Sequence, residues 1–325
     1  MNPEAAPTPL VTVVIPAFNC EGFVGEAIAS VLAQDYPHLE VLVIDDGSTD
    51  ATAQVAAGFG SRVRVLSQPN RGCAAARNRG LAHSGGDFVA FLDADDVWAP
   101  HKLGYQMRGL QESGLTMAYS RFLEWRPGPD GRYEPSYEMF ARRDRKQLSA
   151  SAVVTGDTYP YLLLDSIVWT STVLVAKAEL TRSGFFDETL ALGEDYDLWL
   201  RLSRNIPMLG QEEPTALYRQ HPGSITQRVN DVHYEYLVLN RALEKWGVRT
   251  IPGELNMDRL LRQRLARCMF SHGYNHSKAG NARVAAACYW KSLRHSGFRL
   301  RTAILFVLAS VKCIFWPGGV AKAAD

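Results

Sequence analysis

Val41-Leu42-Val43-Ile44-Asp45-Asp46-Gly47-Ser48 and Phe88-Val89-Ala90-Phe91-Leu92-Asp93-Ala94-Asp95-Asp96 share one pattern: an apolar, β-rich run that stops in carboxylates. Short continuous apolar runs fit strands buried on both faces, as in a parallel sheet covered by helices. Ligands of such sheets bind beyond the carboxyl ends of the strands, where both acidic clusters fall. Carboxylates alone repel a phosphate. With a divalent cation between them they can hold one, because Mg²⁺ or Mn²⁺ is commonly bound by one or two carboxylates plus substrate phosphates. The two clusters together point to a metal-dependent site for a nucleotide diphosphate.

Outward from these runs, strands and helices alternate. Val11–Ala17 reads as a first buried strand, and Phe23, Ala27, Ile28, Val31 and Leu32 recur at helical spacing before Asp35-Tyr36-Pro37. Residues 39–44 form strand two, and residues 51–57 a helix begun by Ser48 or Asp50. Strand three covers 63–66, a helix 72–83 and strand four 88–92. The spacing predicts an α/β fold with a mostly parallel sheet and flanking helices. Further on, Met117–Trp125 and 132–137 read as strands around the turn Pro127-Gly128-Pro129-Asp130-Gly131. A strand at 166–175, a helix at 195–203 and a last strand at 215–219 follow, and from Val232 onward helices dominate.

The 325 residues suffice for a full core plus an appendage. The net charge of +1 conceals two unlike halves. From Ile225 to Asp325 there are 16 Lys/Arg and 6 Asp/Glu, whereas the preceding part holds 19 and 28. An acidic half suits a metal site, and a basic tail suits an anionic partner such as a membrane surface or nucleic acid. The five cysteines are widely spaced without a CxxC, as in reduced, cytosolic proteins. Met1-Asn2-Pro3-Glu4 lacks the basic and apolar stretches of a secretory signal, so the chain reads as cytoplasmic.

Several chemistries are excluded. Pro16-Ala17-Phe18-Asn19-Cys20-Glu21-Gly22 follows the first strand where a dinucleotide fold would carry G-x-G-x-x-G, and no P-loop occurs. A calcium loop starting at Asp93 fails, with Trp98 in place of glycine and Gly104 in place of glutamate. An isolated DxD is more often a solvated turn. In an extended segment, however, Asp93 and Asp95 would face the same way and could share one ion. Asp195 alone could equally cap the helix it begins.

Val13-Val14-Ile15-Pro16-Ala17-Phe18-Asn19, Ile44-Asp45-Asp46-Gly47-Ser48-Thr49-Asp50, Asn70-Arg71-Gly72, Ala76-Arg77-Asn78, Phe91-Leu92-Asp93-Ala94-Asp95-Asp96 and Gly193-Glu194-Asp195-Tyr196-Asp197-Leu198-Trp199 occur in this order. Over residues 9–226 the chain resembles a family-2 glycosyltransferase of the GT-A fold, inverting and nucleotide-sugar dependent, with 227–325 as a helical C-terminal extension. The resemblance implies that Pro16, Ala17, Phe18 and Asn19 line the nucleotide, with Phe18 stacking on the base where tyrosine is common. It implies that Asp46 meets a uracil-type ring, that Arg71 and Ala94 also line the nucleotide, and that Asp93 meets the ribose. Asp95 would ligate Mg²⁺ or Mn²⁺, with Asp93 and His221 as further metal ligands. Glu194 and Asp195 match the catalytic acid pair, with Asp195 as general base.

The implied activity moves a sugar, most simply from a UDP-sugar, to a saccharide or lipid-linked acceptor in surface polysaccharide or lipopolysaccharide synthesis, with no nucleic-acid partner. Its rivals are a nucleotidyltransferase of related fold, which lacks its glycine-rich basic loop here, and a silent sugar-nucleotide-binding subunit. Tyr133, Tyr137, Phe140, Tyr159 and Tyr161, within 125–169, can stack on sugars or fill the core. Residues 303–316 form an apolar run flanked by Arg294, Arg299, Arg301 and Lys322, too short to span a bilayer. A packed helix and an interfacial helix on the inner membrane face both fit it.

Overall fold

In the computed structural model, residues 8–142, 146–224, 229–297 and 299–315 are described. Among them are eight strands: β1 (Val11–Ala17), β2 (Leu39–Asp45), β3 (Arg64–Ser67), β4 (Phe88–Phe91), β5 (Val97–Trp98), β6 (Met117–Trp125), β7 (Leu174–Ala176) and β8 (Leu209–Arg219). The helices of the sheet region are α1 (Val24–Leu32), α2 (Thr52–Ala57), α3 (Cys73–His83), α4 (Lys102–Ser113), α5 (Ser136–Arg142), α6 (Tyr159–Leu162), α7 (Lys177–Ser183) and α8 (Glu194–Asn205). After β8 come α9 (Tyr234–Trp246), α10 (Met257–Lys278), α11 (Ala282–Ser296) and α12 (Leu300–Phe315).

The strands form one sheet in the order β3-β2-β1-β4-β7-β6-β8-β5. β3, β2, β1 and β4 are parallel neighbours, as their apolar runs predict. β7 is antiparallel to both β4 and β6, and β5 to β8, so the sheet is mixed beyond β4. The chain winds from β1 through β2 to β3 on one side and then places β4 on the other side of β1. That reversal opens a crevice between the carboxyl ends of β1 and β4, where such sheets bind ligands.

Pro16 fits this crevice. The carbonyl of Val14 accepts from Leu92 N–H on the β4 side, whereas that of Ala17 accepts from Asp46 N–H on the β2 side. Pro16, in phase with Val14, turns its nitrogen toward β4 beyond the last ladder pair, Val14↔Phe91, so no ladder bond is lost. All seven residues of β1 are buried. Val24, Ala27, Ile28 and Val31 of α1 pack into the same core at helical spacing. Across the sheet from α1's core, α3 lies so close to β1 that a Cβ on Gly80 would stand 2.3 Å from Val14 Cγ1.

Three local expectations change. Residues 132–137 are not a strand: Pro135 offers no N–H to a ladder, and its carbonyl accepts from Glu138 and Met139 N–H to start α5. Residues 166–175 keep only the end of the expected strand, because Thr170-Ser171-Thr172 form a 3₁₀ turn before β7. Ala51, not Ser48 or Asp50, is the cap residue of α2, and Asp50 Oδ1, from just before it, accepts from Thr52 N–H at 3.0 Å.

The chain divides into two compact units at His221/Pro222, with Leu163–Asp165 grouped with the second. The expected boundary at 226/227 lies outside the described residues, as do Trp316 and Lys322. Within the helical unit, α12 lays Leu305, Phe306 and Ala309 on Ala285, Tyr289 and Phe270. Among the described residues no helix is long and apolar enough to cross a membrane.

Gly80→Val should destabilise the fold by about 1–3 kcal/mol, the usual cost of overpacking a core contact. Thermal melting checks this, and an unchanged midpoint would mean that the α3–β1 contact yields freely.

Candidate active site

The loop after β1 is fastened to the loop after β2. Asn19, in a left-handed conformation at φ 48°, accepts from Thr49 N–H through Oδ1 at 2.8 Å, and its own N–H donates to Ser48 Oγ at 3.0 Å. Glu21 Oε2 accepts from Ala51 N–H at 2.7 Å. Pro16 and Ala17 are buried beneath, and Phe18 stands out 47% exposed, free to lie against a flat ring.

Asp45 and Asp46 divide their work. Asp45 Oδ1 accepts from Ser48 N–H and shapes the turn at Gly47, whose φ of 79° suits glycine. Asp46, 4% exposed, accepts from Gln68 Nε2 at 2.7 Å, Arg71 N–H at 3.0 Å and Gly72 N–H at 2.8 Å. It therefore anchors the Asn70-Arg71-Gly72 loop and has little acceptor capacity left for a base. The Arg71 guanidinium is exposed and pairs with Glu188 at 2.8 Å.

Asp93 to Asp96 do not run extended. Asp96 N–H donates to the Asp93 carbonyl at 3.0 Å, which closes a turn and gives each carboxylate a different partner. Asp93 Oδ1 pairs with Arg77 at 2.7 Å, and Asp95 Oδ2 lies 3.0 Å from His221 Nε2. Ala94 sits buried between them. Asp96 is a support: it accepts from Ser171 Oγ at 2.6 Å and from Arg219 N–H at 3.1 Å, and burial pushes its carboxyl well up. Arg219 completes the frame, donating from Nε to the Asp95 carbonyl at 2.7 Å and stacking 3.9 Å from the Trp125 ring centroid.

A cation suits Asp95. Burial raises its carboxyl above the usual range and Asp93 adds to that, while His221 opposes it. Three carboxylates thus crowd one turn that offers hard oxygens and an imidazole to an ion. Asp95 and His221 fit a shared ion, whereas one Asp93 oxygen is already taken by Arg77. Among the described residues, the ligand-type group closest together is elsewhere: His233, Glu235 and Cys268, with ligand atoms within 4.8 Å. There Arg264 already pairs with Glu235 at 2.9 Å.

Glu194 and Asp195 open α8 after Gly193, whose φ is 74°. Gly193, not Asp195, is the cap residue. Consecutive helical residues diverge, so Glu194 turns inward to Arg77 at 2.6 Å while Asp195 stays half-buried. Asp195 Oδ2 accepts from Thr170 Oγ1 at 2.7 Å, and the start of the helix favours its negative charge. Burial pushes the Glu194 carboxyl up to about 7 against the pull of Arg77, with Asp195 adding to the rise.

Arg77, part of the Ala76-Arg77-Asn78 motif, has a role that only the structure reveals. It is buried, reaches Asp93 with one nitrogen and Glu194 with another, and stacks 5.3 Å from the Phe186 ring centroid. Its signal was an arginine on the sheet-facing side of an Ala-rich helix, one turn before Gly80. Asn78 beside it holds the 186–188 loop through Phe186 and Glu188. Thr170 and Ser171, which brace Asp195 and Asp96, were hidden in the expected strand. Of the candidate acceptor aromatics, Tyr159 is buried, Phe140 is half-buried against the core cluster of Leu123 and Trp125, and Tyr133 covers Arg219, while Tyr137 is exposed.

Residues 12–162 match the family described as Glycosyl transferase family 2. An uncharacterized glycosyltransferase of Rickettsia typhi is 28% identical over 239 residues, 73% of this chain and 69% of that protein. The Escherichia coli UDP-Glc:alpha-D-GlcNAc-diphosphoundecaprenol beta-1,3-glucosyltransferase WfgD is 36% identical over 115 residues, 35% of this chain and 46% of its own length. The structure of S. aureus TarS 1-349 with UDP-GlcNAc superposes with a TM-score of 0.61 at 19% identity, covering 94% of this chain and 88% of that one. This last likeness bears on the fold, which is shared across the sheet and the C-terminal helices.

The Glu194 carboxyl sets a pH test. Between the ordinary carboxyl value and about 7, the folded chain keeps a proton that the unfolded chain has released. Stability from this group therefore declines as pH rises through that window and is flat above it. Glu194→Gln should remove the decline, worth at most on the order of 3 kcal/mol, in melts from about pH 5 to about pH 8. Parallel curves for parent and variant would show that Glu194 is ionised throughout.

Proposed function

We propose that this chain, which belongs to family 2 of the glycosyltransferases and has the GT-A fold, transfers a sugar with inversion from a UDP-sugar to a lipid-linked saccharide at the cytoplasmic face of a membrane. The observation that supports the proposal is the link that Arg77 makes between Asp93 and Glu194, which ties the turn carrying the Asp95–His221 pair to the helix start carrying Glu194 and Asp195. The named activity of the E. coli relative and the UDP-GlcNAc in the S. aureus structure support UDP and a lipid-linked acceptor.

In this reading Phe18 stacks on the base and the loop held by Asn19 and Asp46 cups the nucleotide. Asp93, steadied by Arg77, meets the ribose. Asp95 and His221 would hold a Mg²⁺ or Mn²⁺ ion, which supplies positive charge to the leaving diphosphate. Asp195 accepts the proton of the acceptor hydroxyl as that oxygen attacks the anomeric carbon from the face opposite the diphosphate. Thr170 fixes the orientation of its carboxylate, and Glu194 stays on Arg77 as a positioning residue.

Two measurements test this. Calorimetry of UDP should show binding that needs Mn²⁺ in the parent and is lost in Asp95→Asn; equal, metal-independent affinity in both would contradict it. Asp195→Asn should lower acceptor-dependent UDP release by about 10²–10⁴-fold while leaving UDP affinity nearly unchanged. Near-parental turnover would assign the base to another residue.

A further inference from the structure

α12 is apolar on two opposite sides. Leu305, Phe306 and Ala309 pack on α11 and α10. Leu300, Ile304, Val307, Leu308 and Val311 recur at i, i+4, i+7, i+8 and i+11 and form a single stripe on the other side. Ile304, Val307 and Leu308 are 50%, 56% and 54% exposed, and Trp290 of α11, 53% exposed, stacks beside Phe306. An apolar side of this length left to water marks an interaction surface.

The charge around it says what kind. Between residues 259 and 324 there are twelve Lys/Arg and no Asp or Glu. Arg301 and Lys312 border the stripe at helical spacing, and Lys291 and Arg294 lie on α11 next to Trp290. A helix of 16 residues is about 24 Å long, too short to span a bilayer but long enough to lie in its surface. Basic residues beside an apolar stripe and an aromatic edge match an interface of anionic head groups over acyl chains.

We propose that the exposed side of α12, with Trp290, Lys291 and Lys312, docks this chain on an anionic lipid bilayer as an interfacial helix. The surface deepens the lipid-linked-acceptor reading and rests on it for its purpose. Its test contains neither donor nor acceptor, so its failure is separable from failure of that reading.

The full chain is floated with vesicles of phosphatidylglycerol and phosphatidylcholine, and with vesicles of phosphatidylcholine alone, at low and high salt. Binding should favour the anionic vesicles by about ten-fold or more and weaken with salt. Val307→Glu/Leu308→Glu, at exposed positions, should lower it by about ten-fold or more with the melting midpoint unchanged. Lys291→Gln/Lys312→Gln should lower it less and flatten its salt dependence. Equal flotation of parent and the glutamate variant would overturn the proposal, as would no flotation of the parent. A parent dimer that the glutamate variant dissociates, without vesicle binding, would overturn it in favour of a second copy on this face.

Discussion

A single buried guanidinium joins the two acidic ends of this site. Arg77 reaches Asp93 at 2.7 Å and Glu194 at 2.6 Å, and with both partners in place its own burial is tolerable. Taking a charge out of water costs several kcal/mol, so such a group persists only when paired, and breaking a buried pair typically costs about 3–5 kcal/mol. Asp93 opens the turn after a central strand, whereas Glu194 starts a helix 101 residues later in the chain. Their shared cation fixes the turn after β4 relative to the start of α8.

The rest of the site follows from that frame. α3 can carry Arg77 to the strand ends because Gly80, one turn on, lets the helix lie against β1. The turn at Asp93–Asp96 is held from below by Asp96, Ser171 and Arg219, which leaves Asp95 facing His221. Asp195 is held by Thr170 from the same 3₁₀ turn that provides Ser171. One short irregular segment therefore braces both the Asp93–Asp96 turn and Asp195.

Much of this was legible in the sequence because strand ends announce themselves: an apolar run that stops in acid leaves few places for the carboxylates to go. β1, β2, β4 and β6 fall where their runs predict, and the two acidic clusters lie at the ends of β2 and β4. What was illegible depended on tertiary contacts. A lone arginine in an Ala-rich helix reads as solvated until Asp93 and Glu194 arrive from elsewhere in the chain. Thr170-Ser171-Thr172 has β propensity, yet its hydroxyls are spent on Asp195, Asp96 and a local carbonyl, and the backbone turns instead. Asp46 reads as a base-binding residue in the sequence, whereas three hydrogen bonds to Gln68, Arg71 and Gly72, which hold its neighbouring loop, appear only in the structure. For the tail, the apolar run was readable as a helix; only the packing of one side on α11 shows which side stays exposed.

The central claim is that Arg77 couples the donor-side and acceptor-side carboxylates. A double-mutant cycle on acceptor-dependent nucleotide release tests it most directly, with Asp93→Asn and Glu194→Gln alone and together, in the parent and in Arg77→Met. The account predicts effects that are strongly non-additive in the parent and close to additive once Arg77 is methionine. Additive effects in the parent would contradict it, because two carboxylates that share one buried cation cannot be changed independently.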